Sequence, residues 1–197
     1  MQFAKYMGIS YKKAQEYLMD DEDFTDEAIS ISVDWCRANY KTFSLGIWDD
    51  FIKYCNVSIS RIIADCQALY TEDGKKNIDL NPYEEQKLIK IIDVESSVVK
   101  TFYDKFDLLY QADIHDGEKE TLAFLYDSSE NWLVCSSDGA VFRVLGLLQR
   151  GEQGISLEEI LKKIGLSREL EPRYTKKFRE RHTFMGQIDS IQNKGLI

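Results

Sequence analysis

Short apolar runs that alternate with helix-like segments are the feature of this chain that most constrains its fold. The runs 88–94 (LIKIIDV) and 132–135 (WLVC) are rich in β-branched or bulky residues, which is typical of buried strands. Segments 96–109, 117–126 and 139–148 instead carry apolar residues at helical spacing. Strands that alternate with helices predict an α/β fold, in which a parallel sheet is flanked by crossover helices.

The first third of the chain follows a helical pattern. Thr25 is a potential cap for a helix that continues to about residue 40, and Ser58 or Ser60 is a potential cap for another. The stretch 71–85 is polar and contains Gly and Asn-Pro, which is typical of a loop or hinge. The predicted organisation is a helical N-terminal part over 1–70, a loop or hinge over 71–85, an α/β half over 86–150, and C-terminal helices over 151–197 that pack on the same domain.

The charge balance excludes a surface that binds polyanions throughout. The 197 residues include 25 Lys and Arg against 34 Asp and Glu, for a net charge of −9. Contact with nucleic acid would therefore need a local basic patch. No stretch of about 18 apolar residues occurs, and the N-terminus lacks the residue order of a signal peptide. These observations predict a cytoplasmic protein with no membrane partner.

The numbers and spacing of cysteine and histidine argue against disulfides and zinc sites. None of the four cysteines forms a C-x-x-C pair, so we expect reduced, buried thiols. The two histidines are too few for a zinc finger or a His-rich metal site. The sequence also lacks the common nucleotide and hydrolase loops, which read G-x-x-x-x-G-K-[ST], G-x-G-x-x-G and G-x-S-x-G.

Two acidic turns carry the strongest chemical signal. Glu118 lies in the first turn of a predicted helix, where the partial positive charge of the helix favours an ionised carboxylate. Asp138 follows the WLVC strand, and ligands of open α/β sheets bind outside the carboxyl ends of the strands. If the two carboxylates meet in space, they form an oxygen-rich site suited to Mg²⁺ or Mn²⁺. Taken singly, each residue is also explained as a helix cap or a dipole partner.

The stretch from about 113 to 148 resembles the second half of a PIN-type domain. One subgroup of these domains has an H-x-G-E-x-E-x-L-A turn, which reads here HDGEKETLA. A later strand of that subgroup ends in [TS]-x-D, which reads here SSD over 136–138. The resemblance implies a PIN-like α/β fold with a parallel sheet and the activity of a metal-dependent ribonuclease.

The same resemblance implies roles for individual residues. Glu118 and Asp138 would bind Mg²⁺ or Mn²⁺, and Ser136 would hydrogen-bond near the metal or the phosphate. Asp116 is interpreted as the cap of the helix that contains Glu118. Proteins of this family often act as toxins or RNA-processing enzymes, so the resemblance also implies an RNA substrate and a protein partner that blocks the site.

The first acidic residue of the PIN pattern is not evident. Such domains usually open with a strand that ends in Asp, well before the G-E turn. Asp93 has suitable local surroundings (IIDVESSVV) but lies only 25 positions before Glu118, and the surroundings of Asp34 (SISVDW) resemble a helix. Three explanations stay open: an unusual element supplies Asp93 as a metal ligand, a segment before Met1 is missing, or the site is degenerate.

A basic helix is predicted near the C-terminus, from about residue 172 to 191. Its cations Lys176 and Arg179, together with Ser136, are candidates for contacts with RNA phosphates. Neighbouring glutamates make a solvated helix face an equally available interpretation. We do not expect DNA binding, because an acidic run over 20–23 adjoins the segment that resembles a helix-turn-helix.

Three functions from different classes are consistent with these patterns. The first is a PIN-like ribonuclease that cleaves RNA phosphodiesters with a water activated by Mg²⁺ or Mn²⁺. The second is a degenerate PIN-like module that binds another protein and lacks a complete metal site. The third is a helical adaptor whose similarity to PIN domains is accidental. The separation of Glu118 and Asp138 in space distinguishes the first function from the second. A sheet with WLVC in a central strand would distinguish these two from the third.

Overall fold

The computed structural model describes residues 29–33, 42, 45–65, 68–71 and 74–197. Within these residues the strands are β1 (Ile29–Val33), β2 (Cys55–Ser60), β3 (Ala68–Thr71), β4 (Gly74–Asn77), β5 (Ile89–Ile92), β6 (Leu133–Cys135) and β7 (Gly154–Ile155). The α-helices are α1 (Trp48–Tyr54), α2 (Arg61–Asp65), α3 (Asn81–Glu85), α4 (Ser96–Tyr103), α5 (Leu108–Asp113), α6 (Asp116–Asp127), α7 (Gly139–Leu147), α8 (Leu157–Lys163) and α9 (Lys176–Ile191).

Five strands form one parallel sheet in the order β5-β2-β1-β6-β7. β1 is the central strand: Ile31 pairs with Val57 of β2 on one side and with Leu133 of β6 on the other. The chain passes from β1 outward to β2 and β5, then returns to the other side of β1 to form β6 and β7. The strand order therefore reverses between β1 and β6, and this is the point where ligands bind in open α/β sheets. β3 and β4 form a separate antiparallel hairpin.

The prediction of a helical part over 1–70 is wrong at three segments, the last of which is β3, beginning at Ala68. Ile29–Val33 and Cys55–Ser60 are strands, and only the short α2 follows Ser60. Ile29–Val33 and Cys55–Ser60 alternate apolar and polar residues with the period of two that suits a strand. β1 is stabilised by ladders on both sides, so contacts distant in sequence outweigh the helical spacing of its neighbours. The sheet thus joins strands from both sides of the predicted hinge at 71–85, which itself contains β4 and α3.

Several local predictions are confirmed. The runs LIKIIDV and WLVC form β5 and β6, and the sheet is parallel as expected. The segment 139–148 forms α7. Ser156 and Glu159 form the predicted capping box at the start of α8, and Gly165 adopts the left-handed conformation (φ 71°) expected just after that helix ends. The segment 96–109 instead divides into α4 and the start of α5.

Apolar cores lie on both faces of the sheet. On one face, Val57 and Ile59 of β2 pack with residues of α1 and α8. On the other face, Val134 of β6 packs with residues of α4, α6 and α7. Val134 and Cys135 belong to opposite cores because successive strand residues point to opposite faces. No helix in the described ranges combines the length and apolar character that a membrane crossing requires.

Two of the four cysteines lie in the described residues, and both follow the sequence expectation. Cys55 and Cys135 are both buried, whereas Cys36 and Cys66 lie outside the described residues. Burial raises the pKa of the Cys55 thiol to about 12. A thiol of this kind stays protonated at neutral pH and packs as a small apolar side chain.

Candidate functional site

Asp138 stands at the carboxyl edge of the sheet, as its position after β6 predicts. Its Oδ1 accepts a hydrogen bond of 2.8 Å from the backbone N–H of Ala140, so Asp138 is the N-cap of α7. The Oγ of buried Ser136 accepts the N–H of Asp138 at 2.9 Å and holds the turn. The carboxylate therefore sits at a helix N-terminus beside the reversal point between β1 and β6, where negative charge is favoured.

Glu118 lies in the first turn of α6, where the sequence places it. It shares one helix face with Thr121, Leu122 and Leu125, at positions i, i+3, i+4 and i+7. Leu122 and Leu125 belong to the same apolar core as Val134 of β6, so this face packs on the sheet. Glu118 is only 7 % exposed. The buried Glu118 carboxylate therefore lies on the sheet-facing side of α6.

The helix cap differs from the prediction. His115, not Asp116, is the N-cap of α6, and its backbone N–H donates to Glu118 Oε2 at 2.9 Å in a capping box. Asp116 lies inside the helix and pairs with Lys119 at 2.9 Å. One Glu118 oxygen is therefore engaged in holding the start of its own helix.

Glu120 is a buried carboxylate that the sequence reasoning did not single out. It is 4 % exposed, and its Oε2 accepts the backbone N–H of Ile62 at 2.9 Å. Ile62 is the second residue after β2, so this bond ties α6 to the carboxyl edge of the sheet. Glu118 and Glu120 are two positions apart and leave the helix in different directions. Glu120 thus anchors the helix that carries Glu118, and the H-x-G-E-x-E pattern was the available signal for it.

Asp93 is placed away from the other acids. It follows β5, the outermost strand on its side, and its carboxylate pairs with Arg61 at 3.0 Å. Its side chain is 71 % exposed. Three strand spacings separate β5 from β6, which is about 14 Å. Asp93 and Asp138 therefore follow strand ends that are too far apart for both carboxylates to reach one ion directly.

Asp34 directly follows the central strand in sequence. It is the residue after Val33, the last residue of the central strand β1, and its own placement lies outside the described residues. The alternation of ISISV was the signal for this strand, and the helical spacing around it obscured that signal. In sequence, Asp34 takes the same place relative to β1 that the SSD turn takes relative to β6.

Buried hydroxyl groups without a hydrogen-bond partner among the described residues lie close in sequence to Glu118 and Asp138. Thr121 is one turn after Glu118 on the same face of α6, and Ser137 adjoins Asp138. Both are buried, and neither side-chain oxygen has a hydrogen-bond partner among the described residues. Buried polar atoms normally have a hydrogen-bond partner. Buried hydroxyl groups without one therefore indicate a place for an ion, a water or a ligand. Ser58 and Ser60 of β2 are buried and unpaired in the same way.

A complete ligand set is not present within the residues that the structure describes. In those residues, no group of three or more His, Cys, Asp or Glu side chains is arranged to hold a metal ion. Glu118 and Asp138 carry the carboxylate oxygen atoms that Mg²⁺ and Mn²⁺ prefer. Two carboxylates of this kind have the donor chemistry of a hard cation site but do not complete one.

His182 of α9 lies against the start of α7. A Cβ on Gly139 would come within 2.9 Å of His182 Cγ, so the imidazole occupies the space beside that glycine. The His182 and Phe178 ring centroids are 4.4 Å apart. Partial burial and the nearby Arg181 and Arg143 guanidinium groups lower the pKa of His182, while Asp138 acts in the opposite direction. His182 thus connects the C-terminal helix to the Asp138 turn.

The two cations predicted to contact phosphate are engaged with protein carboxylates. Arg179 makes a two-pronged ion pair with Glu159, with bonds of 2.8 and 3.0 Å. Lys176 lies 3.6 Å from Glu180. Arg179 thereby fastens α9 to the capping box of α8, and this pairing explains its position without a phosphate.

This ion pair predicts a stability change in acid. Burial alone would raise the pKa of Glu159, but hydrogen bonds from Arg179 and Ser156 outweigh burial and lower it. The stabilisation is therefore present above the unfolded-state pKa of about 4.3 and is lost as the pH falls through the lower folded-state pKa. We expect Glu159→Gln, which keeps a capping-box residue, to lower the free energy of unfolding by about 1.5 kcal/mol at pH 7.

Urea unfolding of both proteins at pH 7, 5 and 3 measures this difference. The difference in unfolding free energy between wild type and Glu159→Gln should become smaller toward pH 3. The wild-type carboxylate becomes protonated in that range, whereas the glutamine of the variant is uncharged at every pH. A gap of equal size at all three pH values would show that the charge of Glu159 does not contribute.

Comparisons with known proteins do not assign the chain to a family. A scan against protein-family models finds no match, and searches of curated proteins and of solved structures find no significant similarity. The features of this chain that bear on function are therefore the mixed α/β fold, the parallel sheet and the carboxylates that follow its strands.

Proposed function

We propose that this chain is a PIN-like, metal-dependent ribonuclease that hydrolyses phosphodiester bonds of RNA. The observation that carries the proposal is the position of Asp138 beside the reversal point between β1 and β6, with Glu118 on the sheet-facing side of α6. The resemblance of the H-x-G-E and S-x-D segments to PIN domains supports the same reaction. The parallel sheet is of the kind that such a domain requires.

Three carboxylates would hold the cation in this proposal. Asp138 and Glu118 supply two, and Asp34, which follows β1 in sequence, replaces Asp93 as the third. A bound Mg²⁺ or Mn²⁺ would supply positive charge for the phosphodiester and would make a water molecule more acidic. The chain itself contributes orientation: Ser136 holds the Asp138 turn, His115 holds Glu118, and Glu120 ties α6 to β2.

A degenerate protein-binding module is the second proposal. One oxygen of Glu118 accepts a backbone N–H in the helix cap, and this bond is a sufficient structural role for the residue. Asp138 is likewise a sufficient N-cap for α7. In this alternative both acids persist as caps, and the acidic chain binds a basic protein partner.

Calorimetric titration with Mn²⁺ separates the two proposals. We expect the wild type to bind Mn²⁺ and Asp138→Asn to lose at least tenfold in affinity, because asparagine keeps the N-cap but removes a charged ligand. Asp127→Asn is the matched control, since Asp127 ends α6 away from its first turn. Cleavage of a labelled RNA in Mn²⁺ should fall in parallel.

Two results would count against the ribonuclease. If the wild type binds no Mn²⁺ at millimolar concentration, the proposed cation site does not exist. The protein-binding module is then the remaining proposal. Equal Mn²⁺ affinities for the wild type and Asp138→Asn would place any bound cation away from the SSD turn.

A further inference from the structure

The exposed face of α9 carries two cations and an aromatic ring in one row. Lys177, Arg181 and Phe184 lie at positions i, i+4 and i+7, so their side chains share one face of the helix. All three are exposed, and 60 % of the Phe184 surface is open to solvent. We call these three residues the α9 row.

The cations of the α9 row differ from their neighbours on the helix. Lys176 and Arg179 form ion pairs with glutamates. Neither Lys177 nor Arg181 has an ion-pair or hydrogen-bond partner within the described part of the chain. In a protein with a net charge of −9, two uncompensated cations one turn apart form a local site for an anion.

The middle of the α9 row adjoins the residue that contacts the Asp138 turn. Arg181 precedes His182, whose imidazole lies against Gly139 and next to the Asp138 turn. A strand of nucleic acid that follows α9 would therefore reach the carboxyl edge of the sheet between β1 and β6. The row is placed to hold a substrate on one side of the bond that would be cleaved.

We propose that the α9 row binds single-stranded RNA, with backbone phosphates on Lys177 and Arg181 and a base stacked on Phe184. This assignment rests on the proposed ribonuclease function for the identity of the nucleic acid. Cations interleaved with an exposed aromatic ring are the usual composition of single-strand binding surfaces. Bases in a duplex are stacked on one another and cannot cover Phe184, so the row selects a single strand.

Fluorescence anisotropy with a labelled single-stranded RNA in EDTA tests the α9 row separately from catalysis. Each phosphate contact on a single strand contributes a slope of about −0.7 to log K against log salt. The double variant Lys177→Gln/Arg181→Gln should lose both contacts. We therefore expect wild-type affinity to fall about sevenfold more than that of the variant between 50 and 200 mM salt.

A charge-matched control uses cations at the opposite edge of the sheet. Lys90 of β5 and the nearby Lys87 are exposed, and β5 is four strand spacings from β7, on which α9 packs. Lys87→Gln/Lys90→Gln removes the same net charge and should keep the wild-type salt dependence. Phe184→Ala should weaken binding at every salt concentration without changing the slope, and Phe184→Trp should restore it.

The outcomes decide between this inference and its alternatives. Equal salt slopes for the wild type and Lys177→Gln/Arg181→Gln would overturn it, as would duplex RNA that binds as tightly as the single strand. Failure of the ribonuclease proposal has a different signature, because RNA binding in EDTA then persists without Mn²⁺ binding. Mn²⁺ binding and cleavage with an unchanged salt slope would overturn the α9 row alone.

Discussion

Replacement of Gly186 by alanine should lower the free energy of unfolding by about 3 kcal/mol. A Cβ on Gly186 would overlap the carbonyl oxygen of Arg143 and lie 2.7 Å from the backbone nitrogen of Leu147. Gly146 meets the backbone of Thr183 in the same way, since a Cβ added to Gly146 would lie 2.9 Å from the Thr183 carbonyl carbon. Because these neighbours are backbone atoms, they cannot rotate aside, and α7 and α9 would have to separate.

The sign of the change in unfolding free energy shows whether α7 and α9 meet at their backbones. At an open helix position, Gly→Ala stabilises by about 1 kcal/mol because alanine has the higher helix propensity. Urea unfolding of Gly186→Ala measures the change, and Gln187→Ala, an exposed neighbour on the same helix, is the control with an expected change within about 0.5 kcal/mol. A stabilised Gly186→Ala protein would show that the two helices do not meet at their backbones.

Under the proposed ribonuclease function, replacement of Asp34 by asparagine should lower the rate of RNA cleavage by at least about a hundredfold. Loss of a residue that only supports a metal ligand costs up to about a hundredfold, so loss of a proposed ligand should cost no less. The reason for choosing Asp34 is topological. β1 lies between β2 and β6, so the end of β1 is one strand spacing from the strand that precedes Asp138.

The matched control for this prediction is Asp93→Asn. Asp93 follows the outer strand β5 and pairs with Arg61, so its substitution should leave the cleavage rate within about twofold of the wild type. Initial rates in Mn²⁺, with calorimetric Mn²⁺ titrations of the same variants, give the comparison. Loss of activity in Asp93→Asn with full activity in Asp34→Asn would restore Asp93 as the third acid.

Sequence patterns predict some strands of the sheet but not others. β5 and β6 are predictable because each is a short apolar run with β-branched or bulky residues, bounded by polar residues. β1 and β2 are not predicted, although their alternation is visible, because apolar residues at helical spacing surround them. Their hydrogen bonds run to β5 and β6, which follow tens of residues later, so no local window contains the interactions that stabilise them.

Some features of the candidate site can also be predicted from local sequence, whereas others depend on the tertiary structure. Glu118 and Asp138 can be identified from short motifs, because a helix first turn and a strand end are local features. The anchoring of Glu120 on Ile62 and the isolation of Asp93 depend on which strands are neighbours. The same is true of Arg179, whose partner Glu159 belongs to another helix.

By itself, the sequence determined the α/β class, the two acidic turns, the capping box at Ser156 and the stop at Gly165. Each of these depends on residues within a few positions of one another. Only the tertiary structure decided that ISISV is the central strand and that the order reverses between β1 and β6. Strand order is set by pairing between segments far apart in the chain, and burial between two neighbours outweighs local propensity.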